Sequence, residues 1–145
     1  MADIRHALRI DASPEAVFPL VNEPGGLASW WAQDANVLPA GRPTVEMGFF
    51  NRQTVYRLER VESQAGRLAV WECGTGNQWQ GTRLEFELSQ AEGGTLLRFG
   101  HAGWKSETDY FTMCNTTWGG LMFRLKATAE GRRLGPLFLK DRLAE

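Results

Sequence analysis

The 145-residue chain has no apolar run near the ~20 residues that a membrane-crossing helix needs. Its first residues, MADIRHALRID, alternate and carry charge, unlike a signal peptide. It has only two cysteines, Cys73 and Cys114, without paired spacing, so we expect reduced thiols in a cytoplasmic protein. Neither sign of charge dominates: 16 basic and 17 acidic residues leave a net charge of −1. A general nucleic-acid or membrane-surface binder would be one-sided, so neither partner is expected.

Catalytic and metal signatures are also missing. There is no CxxC, HxH or HExxH, and with only two histidines the expectation is no metal and no cofactor. Gly74-Thr75-Gly76 leads into a strand pattern rather than a helix, which excludes a phosphate cradle. No Gly-x-Ser-x-Gly elbow occurs. A Cys114–His101 nucleophile–base pair is conceivable, but a buried cysteine is more often inert. No repeat, linker or low-complexity segment divides the chain. At this length a single core suffices without disulfide or metal.

Aromatic residues, by contrast, are plentiful: six Trp and eight Phe. Such side chains fill cores and also line small-molecule pockets. Their positions follow from periodicity. Ile4, His6, Leu8 and Ile10 alternate with Arg5, Ala7 and Arg9, which predicts a half-buried strand. Ser13-Pro14-Glu15 starts a helix that Pro19 should keep brief. Asn22-Glu23-Pro24-Gly25-Gly26 reads as a break, and Leu27–Trp31 as one or two helical turns.

Strand patterns then follow at Val45–Phe49, 54–62, 67–73, 82–88 and 95–101, separated by short turns, which predicts an antiparallel meander. In the last of these, Leu97, Phe99 and His101 share a face, and Gly103 is expected to break the strand before Trp104. Which face of 67–73 turns inward, that of Trp71 or that of Glu72, stays open.

A capping box at Ser106–Asp109 opens the final element. Phe111, Cys114, Trp118, Leu121, Met122, Leu125 and Ala129 then recur at helical spacing, which predicts an amphipathic helix over 106–130. Leu137, Phe138 and Leu139 in the tail need a surface to cover. The whole is an α+β chain with one apolar sheet face and a helix to cover it.

In element order the chain resembles the START-like, or SRPBCC, helix-grip superfamily, which includes birch-pollen allergen and polyketide cyclases. Four stretches resemble its branch of activator of heat-shock-protein ATPase homologues. They are IDASPEAVF at 10–18, the Trp30-Trp31 pair, GTLLRFGHAGW at 94–104, and YFTMCNTTWGGLMFRLKATAEGRRLGP at 110–136. The resemblance implies a START-like domain over 1–136 and a tail, 137–145, packed on it or at an interface. It further implies a curved sheet of about six to seven strands around the long helix, with an apolar pocket between them.

His6 and His101 would then lie close together on neighbouring strands of the inner face, as a structural or water-bridged pair ahead of a ligand contact. The expected pocket belt begins with Trp31, Met47, Phe49, Tyr56, Trp71 and Trp79 on the helix pair, the strands and their loops. Phe86, Phe99, His101 and Trp104 continue it, and Phe111, Cys114 and Trp118 supply the long-helix side. The expected function is binding of a small hydrophobic or aromatic molecule by a monomer or homodimer. A co-chaperone partner and a cyclase- or hydrolase-type enzyme are the alternatives.

Overall fold

A computed structural model describes residues 2–39 and 41–144. Met1, Ala40 and Glu145, which the divisions 1–136 and 137–145 include, lie outside the described residues. The elements are β1 (Ala2–Ile10), α1 (Pro14–Asn22), α2 (Pro24–Trp30), β2 (Ala35–Leu38), β3 (Thr44–Phe49), β4 (Thr54–Gln64), β5 (Leu68–Cys73), β6 (Arg83–Ala91), β7 (Gly94–Trp104) and α3 (Asp109–Ala129). The strands form one antiparallel seven-stranded sheet in the order β1-β7-β6-β5-β4-β3-β2. The meander β2 to β7 closes against β1, and α3 lies across the inner face. This is the helix-grip layout.

Two departures from simple alternation position the inner-face aromatics. Ala2 pairs with Trp104 and Ile4 with His101, so β7 carries one extra residue there. Gly103, at φ +89°, forms this bulge and its N–H donates to Asp3 Oδ1 at 3.1 Å. The strand therefore continues through Gly103 instead of breaking. The extra residue turns Trp104 to the same side as His101, and both are buried. On β5, Ala69, Trp71 and Cys73 face inward and Glu72 faces solvent.

The helix pair is more continuous than the sequence reading. α1 runs through Pro19, and α2 begins at Pro24 with Gly25 and Gly26 inside it. Proline suits the first helical position. A Cβ on Gly26 would come within 2.0 Å of the Pro19 carbonyl oxygen, so glycine here permits helix contact rather than a break. Pro24 has no N–H for the Leu20 carbonyl, four residues earlier; Trp30 Nε1 donates to it at 2.9 Å. Trp71 Nε1 donates to Val21 O at 2.8 Å, and Arg60 Nη1 to Asn22 O at 2.7 Å. The last carbonyls of α1 are thus satisfied by side chains of α2, β5 and β4, which sets which face of β5 turns inward.

α3 starts later than the expected 106. Its N-cap is Thr108, whose hydroxyl accepts from Phe111 N–H at 3.2 Å, and not Ser106. Its 21 residues span about 31 Å. Phe111, Cys114, Trp118, Leu121, Met122 and Leu125 are buried in the stripe; Ala127 is also buried, whereas Ala129 is only partly so.

Trp118, 1% exposed, packs on Phe99 (ring centroids 4.4 Å apart) and Trp31 (5.0 Å). Trp118→Ala should lower unfolding free energy in urea by about 3–5 kcal/mol, the cost of emptying a large aromatic site. A loss below about 1 kcal/mol would contradict this packing.

Candidate ligand pocket

The loop between β5 and β6, residues 74–82, folds back onto the inner face. Gly81 N–H donates to Cys73 O at 2.8 Å, and Thr82 N–H to Trp79 O at 2.9 Å. This turn plants Trp79 between two rings. Trp79 stacks on Tyr56 at 3.9 Å and 6° and lies parallel to Trp118 at 5.9 Å and 19°. The edge of Trp79 meets His101 at 4.5 Å.

His101 is fully buried, and both its nitrogens are engaged. Trp118 Nε1–H, which can only donate, gives its proton to His101 Nδ1 at 3.0 Å. The neutral imidazole therefore carries its proton on Nε2 and donates to Thr82 Oγ1 at 2.8 Å. The Thr82 hydroxyl donates in turn to Trp79 O at 2.5 Å. Each proton position in this chain follows from the one before. Burial holds the His101 pKa down to about 3.

His6 shares the inner face but stands across from Phe99, while His101 stands across from Ile4. The expected histidine pair is not formed, because Trp118 and Thr82 occupy both nitrogens of His101. His6 is half-buried against Gly119 of α3, with Nε2 unpartnered among the described residues.

Beside this chain, on the β3–β4 side, lies an apolar cavity of about 330 Å³. Trp31, Phe49, Tyr56, Trp79, Cys114 and Trp118 of the expected belt line it. Met47, Trp71, Phe86, Phe99, His101, Trp104 and Phe111 do not. Met47 is buried in the core, and Trp71 is committed to Val21 O beneath α1. Phe86 packs with Trp30 and Phe99; Trp104 packs edge-on to Phe111 at the start of α3.

The remaining lining includes Tyr110, Met113, Thr117 and Leu121 of α3, Phe50 of the β3–β4 turn, Thr54 at the start of β4, and Phe138 and Leu143 of the tail. Tyr110 lies four residues before Cys114, so helical spacing alone could have found it. Phe50 was hidden, because alternation assigns it to the face opposite Phe49. Phe50, Asn51 and Arg52 instead adopt left-handed backbone (φ 52°, 57° and 64°), which swings Phe50 to the cavity.

Among the described residues the lining holds no charged side chain. Its polar groups are neutral. The Tyr56 and Tyr110 hydroxyls share a hydrogen bond, and burial raises both phenols above their ordinary value. Burial also raises the Cys114 thiol, against the opposing influence of Trp79 and Tyr110. Neither His101 nitrogen bonds Cys114, so a nucleophile–base pair is not assembled here. Burial pushes Cys73 up to about 11, while its Sγ donates to Thr75 O at 2.9 Å. Among the described residues no cluster of His, Cys, Asp and Glu is arranged to hold a metal, and no helix is long and apolar enough to cross a membrane.

A family model described as polyketide cyclase / dehydrase and lipid transport matches residues 1–132. No curated protein matches the sequence. Among solved structures, the Aha1 dimer from Colwellia psychrerythraea is 28% identical, with a TM-score of 0.78 over 90% of this chain and 98% of that one. MLL2253 from Mesorhizobium loti is 14% identical, with a TM-score of 0.75 over 89% of this chain and 97% of that one. CalU16 from Micromonospora echinospora is 16% identical, with a TM-score of 0.69 over 89% and 76%. The last two share the fold.

The buried imidazole makes stability depend on pH. Unfolded, His101 titrates near 6.5; folded, near 3. Between these values the unfolded chain binds a proton that the folded one refuses. Stability should therefore fall as pH drops below 6.5 and level off below 3, with a slope approaching about 1.4 kcal/mol per pH unit from this group. Urea midpoints measured across that range should fall less steeply in His101→Gln, whose amide can both accept and donate but does not titrate. Equal slopes in the two proteins would count against the assignment.

Proposed function

The chain belongs to the polyketide cyclase / dehydrase and lipid transport family, and we propose from this that it binds a small hydrophobic or aromatic molecule in the cavity between β3, β4, α3 and the tail. The observation that carries the reading is the lining: stacked indole and phenol rings, aliphatic side chains and a few neutral polar groups around about 330 Å³. Ligand sites have this apolar character and minimum size. Desolvating a carboxylate or ammonium there would meet no opposite charge, which favours a neutral ligand. The phenol pair and the Cys114 thiol provide hydrogen-bonding groups at the wall.

Titration with the neutral fluorophore N-phenyl-1-naphthylamine, followed by amide and indole NMR signals, tests the proposal. We expect shifts at Trp31, Trp79, Trp118 and Tyr110. Shifts confined to the outer-face Arg57, Arg83 and Arg98, or none at all, would remove it. Mass spectrometry of the intact protein from its own source would identify a retained ligand by its added mass.

The 28% identity to the Colwellia Aha1 dimer favours a second reading, in which the domain engages a heat-shock ATPase or a second copy of itself. Co-purification and stimulated ATP hydrolysis are the expected outcome with the ATPase. No association at concentrations on the order of tens of micromolar would dispose of that partner.

A further inference from the structure

The cavity is completed by a segment that the family match does not include. The match ends at residue 132, while Phe138 and Leu143 line the cavity. The tail is fastened at two places. At the end of α2, Leu137 N–H donates to Trp30 O at 3.1 Å and Phe138 N–H to Trp31 O at 2.9 Å, while Phe138 O accepts from Gln33 N–H at 2.8 Å. At the β3–β4 turn, Asn51 N–H donates to Lys140 O at 2.7 Å.

That turn is the three-residue left-handed stretch Phe50–Arg52. Non-glycine residues persist in this conformation only where their surroundings hold them, and such strain gathers at functional sites. Arg52 is held by ion pairs with Asp34 (2.8 Å) and Glu46 (2.5 Å), and the tail supplies the contacts at Phe50 and Asn51. The Phe138 ring sits edge-on to both Phe49 (4.9 Å) and Phe50 (5.9 Å), so one tail side chain fixes two lining residues. Phe50, Met113 and Leu143 are all more than 40% exposed, which makes them the apolar rim of the cavity mouth.

We infer that Phe138 and Leu143 are specificity-determining residues that set the size of ligand the cavity accepts, with Phe138 as the end wall and Leu143 as the rim. The inference rests on the ligand-binding reading above. It assigns size selection to a segment beyond residue 132, so domains sharing the same core would differ in ligand size through this segment.

Fluorescence titrations with naphthalene and pyrene, two neutral hydrocarbons differing in bulk, test it on the full chain. The wild-type protein should prefer naphthalene. Phe138→Ala should shift the naphthalene-to-pyrene affinity ratio about tenfold toward pyrene. Leu143→Ala should shift it in the same direction by less, and Phe138→Trp should shift it the other way. Phe123→Ala, at an exposed apolar residue on another face of α3, should leave it unchanged. If Phe138→Ala does not fold, Phe138→Leu and Leu143→Ala give the same reading. Naphthalene binding with a ratio unmoved by the Phe138 and Leu143 variants overturns the inference and leaves the ligand reading standing. Failure of every protein to bind either hydrocarbon removes both.

Discussion

The indole N–H of Trp118 bonded to His101 Nδ1 is the contact on which the interior is organised. It joins α3 to β7, and the proton order it imposes runs on to Thr82, at the end of the β5–β6 loop, and to the Trp79 carbonyl. Four polar groups that would each be costly to bury alone are mutually satisfied. The same chain fixes the turn that carries Trp79, and the Trp79 ring stacks on Tyr56 to form one wall of the cavity. An aliphatic residue in place of His101 would leave the Trp118 indole and the Thr82 hydroxyl without these partners. The imidazole is there because it accepts at one nitrogen and donates at the other.

The inner face consequently has two zones. Under α1, α2 and the middle of α3, indole donors close the end of α1 and buried rings pack on one another. Toward β3 and β4 the covering elements diverge, and the tail bridges the gap between α2 and the turn at Phe50–Arg52. A cavity remains whose lining, among the described residues, carries no charged side chain. The hydrogen-bonded Trp118–His101–Thr82 chain on one side and an apolar wall on the other are a combination that suits ligand capture.

Much of this layout was legible in the residues. The alternation in β1, β6 and β7, the stripe on α3 and the short turns between strands are local patterns, and they give the strands, their inner residues and the helix face. The placement of His101 inside followed from the same alternation, as did Trp118. Tyr110 was within reach of helical spacing but was not singled out. What failed did so at particular residues. Gly103 reads as a strand end in isolation, yet the pairing with β1 turns it into a bulge. Pro19 and Gly25-Gly26 read as helix breakers, yet contact between α1 and α2 keeps both helices intact.

The sequence by itself determined the α+β order, the antiparallel meander and the apolar faces, because side-chain periodicity depends only on neighbours along the chain. The tertiary structure alone decided which aromatics line a cavity and which fill the core. Trp71 and Trp79 look alike as isolated residues on or beside β5; one is drawn to the α1 carbonyls and the other to Tyr56. Phe50 reaches the cavity through left-handed backbone that pairs with Asp34 and Glu46 through Arg52 and with a tail some ninety residues away in sequence (Asn51 N–H to Lys140 O). Contacts of that range leave no periodic trace, since they depend on how separate elements meet in space.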